Sequence, residues 1–201
     1  MTGLRFRETM TGRVALRTSD PVAGFGSASA FAASMRAAIE IDDVDEFVSK
    51  EPHVARLRAE LVIPVLGGRF LSGDGTFVLF DLGTGPDGKP AREMTYTARF
   101  ANDGRVYEMS ARKILQPGWH LWRDTTTAHV TLRDVTVDRD PVRPRCAAGF
   151  IKISPRSFLV QLTTMRGFGS GRSWSERRRA VLTYAVFFVR GLAETYLPVA
   201  H

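Results

Sequence analysis

Hydrophobic and polar positions alternate through most of the first two-thirds of the chain. Residues 4–16 begin with Leu4 and Phe6 set against Arg5 and Arg7, the pattern of a half-buried strand. Gly12 within it marks either a bulge or a close backbone approach. Residues 30–41 are rich in alanine, which favours helix. Yet Phe31, Ala33, Met35, Ala37, Ile39 and Ile41 fall on one period-two face, and this decides for a strand. The connection between these two strands, "RTSDPVAGFGSAS", reads as loop from its Asp-Pro and Gly/Ser content. Asp42 or Asp43 then caps a short helix over "VDEFVSK".

Four further strands are predicted at residues 55–65, 76–82, 92–100 and 105–115. Met94, Tyr96, Ala98 and Phe100 alternate cleanly with Glu93, Thr95, Thr97 and Arg99, and Asn102-Asp103-Gly104 supplies a hairpin turn. Gln116-Pro117-Gly118 breaks the chain. Residues 125–137 read as one more strand, with Ala128, Val130 and Leu132 on one face and Thr127, His129 and Thr131 on the other. "DRDPVRPR" follows as a loop.

The last third changes character. Residues 150–153 form a strand, and Ser154-Pro155 supplies an N-cap with proline at the first helical position. Phe158, Leu159, Leu162 and Met165 predict the buried stripe of a short helix. "RGFGSGR" reads as a flexible connection. Ser173 and Glu176 form a capping box that opens an amphipathic helix over residues 173–196, with Val181, Tyr184, Ala185, Phe188 and Leu192 as its core stripe. The fold expectation is mainly β: an antiparallel barrel or strongly curved, calycin-like sheet of about eight to ten strands, with short helices and a long C-terminal helix.

At 201 residues the chain is most simply one domain, residues 1–201. Its 44% hydrophobic and 24% charged content is that of a globular protein. A lone cysteine, Cys146, excludes an internal disulfide framework and any multi-cysteine metal site. "MTGLRFRETM" has no apolar core of a secretory signal. The most apolar window, residues 180–193, is too short to span a bilayer and is interrupted by Arg190. These features predict a soluble, cytoplasmic protein with at most peripheral membrane contact.

The net charge of +7 is unevenly placed. Residues 1–138 hold 17 basic and 18 acidic side chains, whereas residues 139–201 hold 11 basic and 3 acidic. Such an excess either solvates a helix face or meets an anionic partner, for which Arg177, Arg178 and Arg179 are the candidates. No nucleic-acid motif accompanies the charge, so nucleic acid is not an expected partner.

Candidate chemistry concentrates in "WRDTTTAHV", residues 122–130, with His120 just before it. Threonines suit a strand and Asp124 suits its entrance turn. Trp122 reads as a core aromatic needing one acceptor. If the segment is extended, Arg123 and Asp124 point to opposite faces. The ligand-binding candidates are Tyr96, Tyr107, His120, Trp122, Asp124, Thr126, Thr127 and His129. In a catalytic reading His129 or Asp124 is the base and Tyr96 or Tyr107 the acid. Alternation separates the face of Thr127 and His129 from that of Asp124 and Thr126 without saying which looks inward. Gly83 to Gly88 matches G-x-G-x-x-G but is followed by Lys89-Pro90 and a strand, so it reads as a hairpin loop rather than a dinucleotide site. The four histidines lack metal-ligand spacing, and no metal or cofactor is expected.

"ETMTG" (8–12), "IEIDDVDEF" (39–47), "WRDTTT" (122–127), "QLTTMRGFG" (161–169) and "FFVRGLAETY" (187–196) together resemble an accessory segment of bacterial cholesterol-oxidase-like multidomain proteins. In those proteins a flavin-dependent glucose–methanol–choline oxidoreductase module accompanies an α/β-hydrolase module. The flavin and hydrolase signatures do not occur in this chain, so no catalytic residue carries over. The resemblance implies a lipid or sterol context.

Three functional expectations result. The first is a non-catalytic domain that binds a hydrophobic small molecule and presents it to a partner oxidase or hydrolase. The second is a small isomerase or hydrolase acting on such a ligand. The third is a structural module that docks on an anionic partner or membrane through its basic C-terminal third.

Overall fold

In the computed structural model, which describes residues 1–136, 145–169 and 173–197, eight antiparallel strands close into a barrel. The elements are β1 (Gly3–Leu16), α1 (Pro21–Gly26), β2 (Phe31–Ile41), α2 (Val44–Ser49), β3 (His53–Ile63), a 3-10 turn (Pro64–Leu66), β4 (Gly68–Thr84), β5 (Pro90–Asn102) and β6 (Arg105–Leu115). Then come α3 (Leu121–Thr126), β7 (Thr127–Asp134), β8 (Cys146–Lys152), α4 (Pro155–Thr164), β9 (Arg166–Phe168) and α5 (Trp174–Tyr196). Each of β1 to β8 pairs with its neighbour in sequence, and β8 returns to β1.

Closure depends on two glycines. A Cβ on Gly12 would lie 1.9 Å from the Phe150 carbonyl oxygen, and one on Gly149 would lie 2.0 Å from that of Arg13. Of the two alternatives at Gly12, a bulge or a close approach, the structure has the close approach, at the β1–β8 seam. The seam is incomplete. β8 pairs only with residues 11–16 of β1, and the short β9 pairs with residues 3–5. Among the described residues, positions 6–10 have no strand on that side. Helix α4 covers them, with the Arg7 N–H donating to the Thr164 hydroxyl at 2.9 Å.

The barrel interior is filled by side chains, as an eight-stranded closure permits. Tyr96, Phe70, Phe77 and Phe100 are among the largest fully buried groups. Strand register places α2, α3, α4 and α5 at the same end of the barrel, where β1 starts and β2 finishes. There Phe47, His53, Phe80, Tyr184, Phe187 and Phe188 form a run of ring contacts beneath α5. No helix among the described residues is long and apolar enough to cross a membrane.

Several local expectations are corrected. Residues 125 and 126 are helical, and β7 begins only at Thr127. The Thr125 hydroxyl donates to the Leu121 carbonyl at 2.7 Å and the Thr126 hydroxyl to the Trp122 carbonyl at 2.5 Å. This back-bonding serves the hydroxyls within a helical turn and overrides their strand preference. Residue 137, the expected strand end, and residues 138–144 of the following loop lie outside the described residues, as do residues 170–172 of "RGFGSGR". Residues 166–168 of that connection form β9.

The first loop contains α1, which is capped by Asp20 accepting the Val22 N–H. Gly24 lets this helix sit on β8, because a Cβ there would lie 2.0 Å from the Ala148 carbonyl oxygen. Strand β3 stops at Ile63 because Pro64 starts a 3-10 turn. Strand β4 begins well before residue 76 and is interrupted by two register shifts, which hide its alternation. Phe158 of α4 and Met165 at its C-cap pack against the core, whereas Leu159 and Leu162 are exposed. Helix α2 is capped by Asp43, and α5 has the predicted capping box.

Candidate functional site

The parity of β1 places Leu4, Phe6, Glu8 and Met10 inward, so a carboxylate enters the packed barrel. Three donors meet it. Glu8 Oε2 accepts from the Tyr96 hydroxyl at 2.7 Å and from Lys113 Nζ at 3.2 Å. Glu8 Oε1 accepts from Gln161 Nε2 at 2.7 Å. The Lys113 and Glu8 side chains are only 2% and 6% exposed. A buried pair of this kind is tolerated when hydrogen bonds complete both ions. Lys113 also lies 5.1 Å from the centroid of the Tyr96 ring, adding a cation–π contact. Burial, followed by the Glu8 charge, holds the Tyr96 phenol well above its ordinary pKa, and the same two causes raise Tyr184. Both phenols therefore remain protonated, and that of Tyr96 donates to Glu8. Gln161 Oε1 is buried without a hydrogen-bond partner.

Sequence reasoning selected Tyr96 from this cluster and missed Glu8, Lys113 and Gln161. A signal existed for two of them. Glu8 shares the inward parity of Leu4, Phe6 and Met10, and Lys113 shares that of Met109, Ala111 and Leu115. A charge in the apolar phase of a strand announces a buried partner.

The other candidates do not converge. Tyr107 points inward and meets Phe70 edge-on at 5.2 Å. His120 occupies the N-cap position of α3, makes no capping bond and is exposed. Trp122 is 48% exposed and lies edge-on to Phe158, so it is not the core aromatic predicted. Its helical position turns the indole onto α4 instead of into the barrel. Asp124 accepts from the Tyr196 hydroxyl at 3.1 Å and from Arg123 Nε at 3.2 Å. Burial and then the Asp124 charge push the Tyr196 phenol upward.

Thr126 and Thr127 are buried at the junction of α3 and β7. His129 faces outward, its ring 4.5 Å from that of Phe150. Burial, then the Arg112 charge, lowers its pKa. Of the three arginines, Arg177 donates to the Gly169 carbonyl, Arg178 lies over the Trp174 ring and Arg179 borders a shallow pocket beside Asp43 and Glu176. No metal-holding group of three or more His, Cys, Asp or Glu side chains occurs among the described residues.

An open cleft of about 650 Å³ runs between α5 and the barrel rim at the ends of β3 to β6. Phe80, Ala91, Leu115 and Phe187 give it an apolar lining, with Arg92, Arg190, Glu51 and Glu194 among its polar groups. Phe80 has φ 57° at a β4 register shift, so it turns under α5 directly after the buried Leu79. Gly191 makes room for it, since a Cβ there would lie 2.3 Å from the Phe80 ring. None of the eight ligand-binding candidates lines this cleft. A second hollow, of about 670 Å³, lies on the strand surface over Thr97, Ser110 and Thr131, beside the Arg99–Glu108–Arg133 ion pairs.

No family model, curated protein or solved structure matches the chain.

Proposed function

We propose that the protein binds a hydrophobic small molecule of lipid or sterol-like character and presents it to a partner oxidase or hydrolase. The observation that carries this reading is the cleft beneath α5, which sets apolar side chains beside a few charged ones outside a barrel whose interior is packed with buried side chains. Ligand sites commonly combine an apolar lining with a few fixed polar groups. Here Arg92 is anchored by donating to the Phe80 carbonyl at 3.0 Å, and Arg190 is held by Glu194 at 2.7 Å. The resemblance to cholesterol-oxidase-like accessory segments supplies the lipid context and the kind of partner.

Displacement of a fluorescent fatty acid or sterol probe tests the reading. Leu82 lines the cleft and is exposed, so Leu82→Asp tests it without opening the core. The expected outcome is roughly tenfold weaker binding, the equivalent of about 1.4 kcal/mol. If no sterol or fatty acid displaces the probe, or if the variant binds as well as the parent, the reading fails.

A second reading rests on the buried cluster. A carboxylate, a phenol held protonated and an ammonium group together make an acid–base set for a small isomerase or hydrolase. That reading needs α4 to move aside, since α4 covers the seam above Glu8. Its test is turnover of the bound ligand, with Glu8→Gln expected to abolish it. Full turnover by Glu8→Gln would remove it.

A further inference from the structure

All three tryptophans of the chain are exposed: Trp119 fully, and Trp122 and Trp174 by about half or more. They occur at the helical end of the barrel, on α3, on α5 and in the turn before α3. Leu159, Val160 and Leu162 of α4 are exposed at the same end. On α5, Leu182, Val186 and Val189 follow an i, i+4, i+7 spacing on the face opposite Ala180, Tyr184 and Gly191. A water-facing helix of a stable globular domain normally carries polar groups there.

Exposed basic groups outnumber acidic ones on these elements. Arg156, Arg166, Arg177, Arg178 and Arg179 are all exposed. The acidic groups beside them are engaged: Asp124 by Arg123 and Tyr196, Glu176 in the α5 capping box, and Glu194 by Arg190. Arg178 lies 3.7 Å from the Trp174 ring centroid, so a cation and an indole present together. The acidic residues of α2, Asp45 and Glu46, border α5 on one flank and mark an edge of the basic face.

We propose that this helical end docks on an anionic lipid surface, with α5 lying in the plane of the interface. Exposed indoles suit the headgroup layer, and arginines around an apolar stripe supply attraction to anionic lipid. The apolar groups spread over three helices instead of one seam, which fits a plane better than a single partner helix. This docking is independent of the cleft, whose lining includes none of the three tryptophans.

Flotation of the full chain with vesicles tests it. Vesicles of phosphatidylcholine alone are compared with vesicles that also contain phosphatidylserine. Binding is expected only to the serine-lipid vesicles, with a blue shift of tryptophan emission and steep loss as salt is raised. Arg178→Glu combined with Arg179→Glu is expected to weaken binding at least about tenfold, and Leu182→Asp with Val186→Asp to abolish the emission shift. All four positions are exposed, so circular dichroism should be unchanged.

Absence of binding to the serine-lipid vesicles, or equal binding to both kinds, overturns the proposal. So does a concentration-dependent dimer that Leu182→Asp dissolves, because a second copy would then cover the stripe. Leu82→Asp is expected to leave vesicle binding intact, which separates a failure of the cleft reading from a failure of docking.

Discussion

Gln161 on α4 donates its side-chain amide to the carboxylate of Glu8 on β1, 2.7 Å away and 153 residues distant in sequence. The contact joins the β1 segment "ETMTG" to the segment "QLTTMRGFG" that runs from α4 into β9. It also lies where, among the described residues, β1 has no strand partner on its β8 side, so α4 completes the wall and adds to the ion's hydrogen bonds. Gln161→Leu removes the donor and leaves Glu8 Oε1 without its partner. The expected loss is about 1–3 kcal/mol of stability, the cost of an unsatisfied buried acceptor. Urea unfolding measures it, and a loss within error would mean that water replaces the amide.

The Glu8–Lys113 pair should behave as a unit. Lys113→Met strands a buried carboxylate and is expected to cost about 3–5 kcal/mol. Glu8→Gln in the same chain removes the stranded charge while keeping an acceptor for Tyr96. The double variant should therefore be more stable than Lys113→Met alone. A denaturation double-mutant cycle reads the coupling, and simple additivity would argue that the pair is not coupled.

Much of this fold was legible because a half-buried strand announces itself by alternation. The hairpins, the barrel class and the capping box of α5 came from local chemistry that tertiary packing did not override. The α3 turn was not legible, because Thr125 and Thr126 serve both a strand and a back-bonded helical turn. The cleft was not legible either. It depends on Phe80 leaving the strand phase at positive φ and on the bare Gly191 above it, which meet across 111 positions of sequence. The buried cluster was half legible: Glu8 and Lys113 broke the apolar phase of their strands, but Gln161 sits on a helix with ordinary polarity.

The closing seam predicts a contrast among glycines. Gly12→Ala drives a methyl group into the β8 backbone at Phe150 and is expected to cost at least about 2 kcal/mol. Gly73 has open space around its missing Cβ and no positive φ. Gly73→Ala should stay within about 0.5 kcal/mol. Comparable thermal melts for the two variants would contradict the tight β1–β8 approach.

Trp122 separates the observed packing from the sequence expectation. A core tryptophan truncated to alanine loses about 3–5 kcal/mol. Trp122 is half exposed and meets Phe158 edge-on, so Trp122→Ala should cost only about 1 kcal/mol. A core-sized loss on chemical denaturation would place the indole inside the fold.

His129 sets a pH dependence whose sign is fixed by its surroundings. Burial against Phe150 and the positive charge of Arg112 lower its pKa below the ordinary 6.5, with Asp124 opposing in part. The unfolded chain therefore takes up the imidazole proton at a higher pH than the folded one. Below about pH 6.5 the unfolded state binds more protons, and stability falls until the folded-state pKa is passed. Above pH 6.5 this residue contributes no slope. Asp87, held low by Gln116 and then Lys89, and Glu108, held low by Arg99 and Arg133, titrate below their ordinary values of 3.8 and 4.5. Their effects belong to a more acidic range and do not overlap with the first step down from pH 6.5. The melting temperature of the parent should drop as pH falls from 6.5 towards 5, and His129→Gln should flatten that drop. An equal drop in both proteins would assign the dependence to another group.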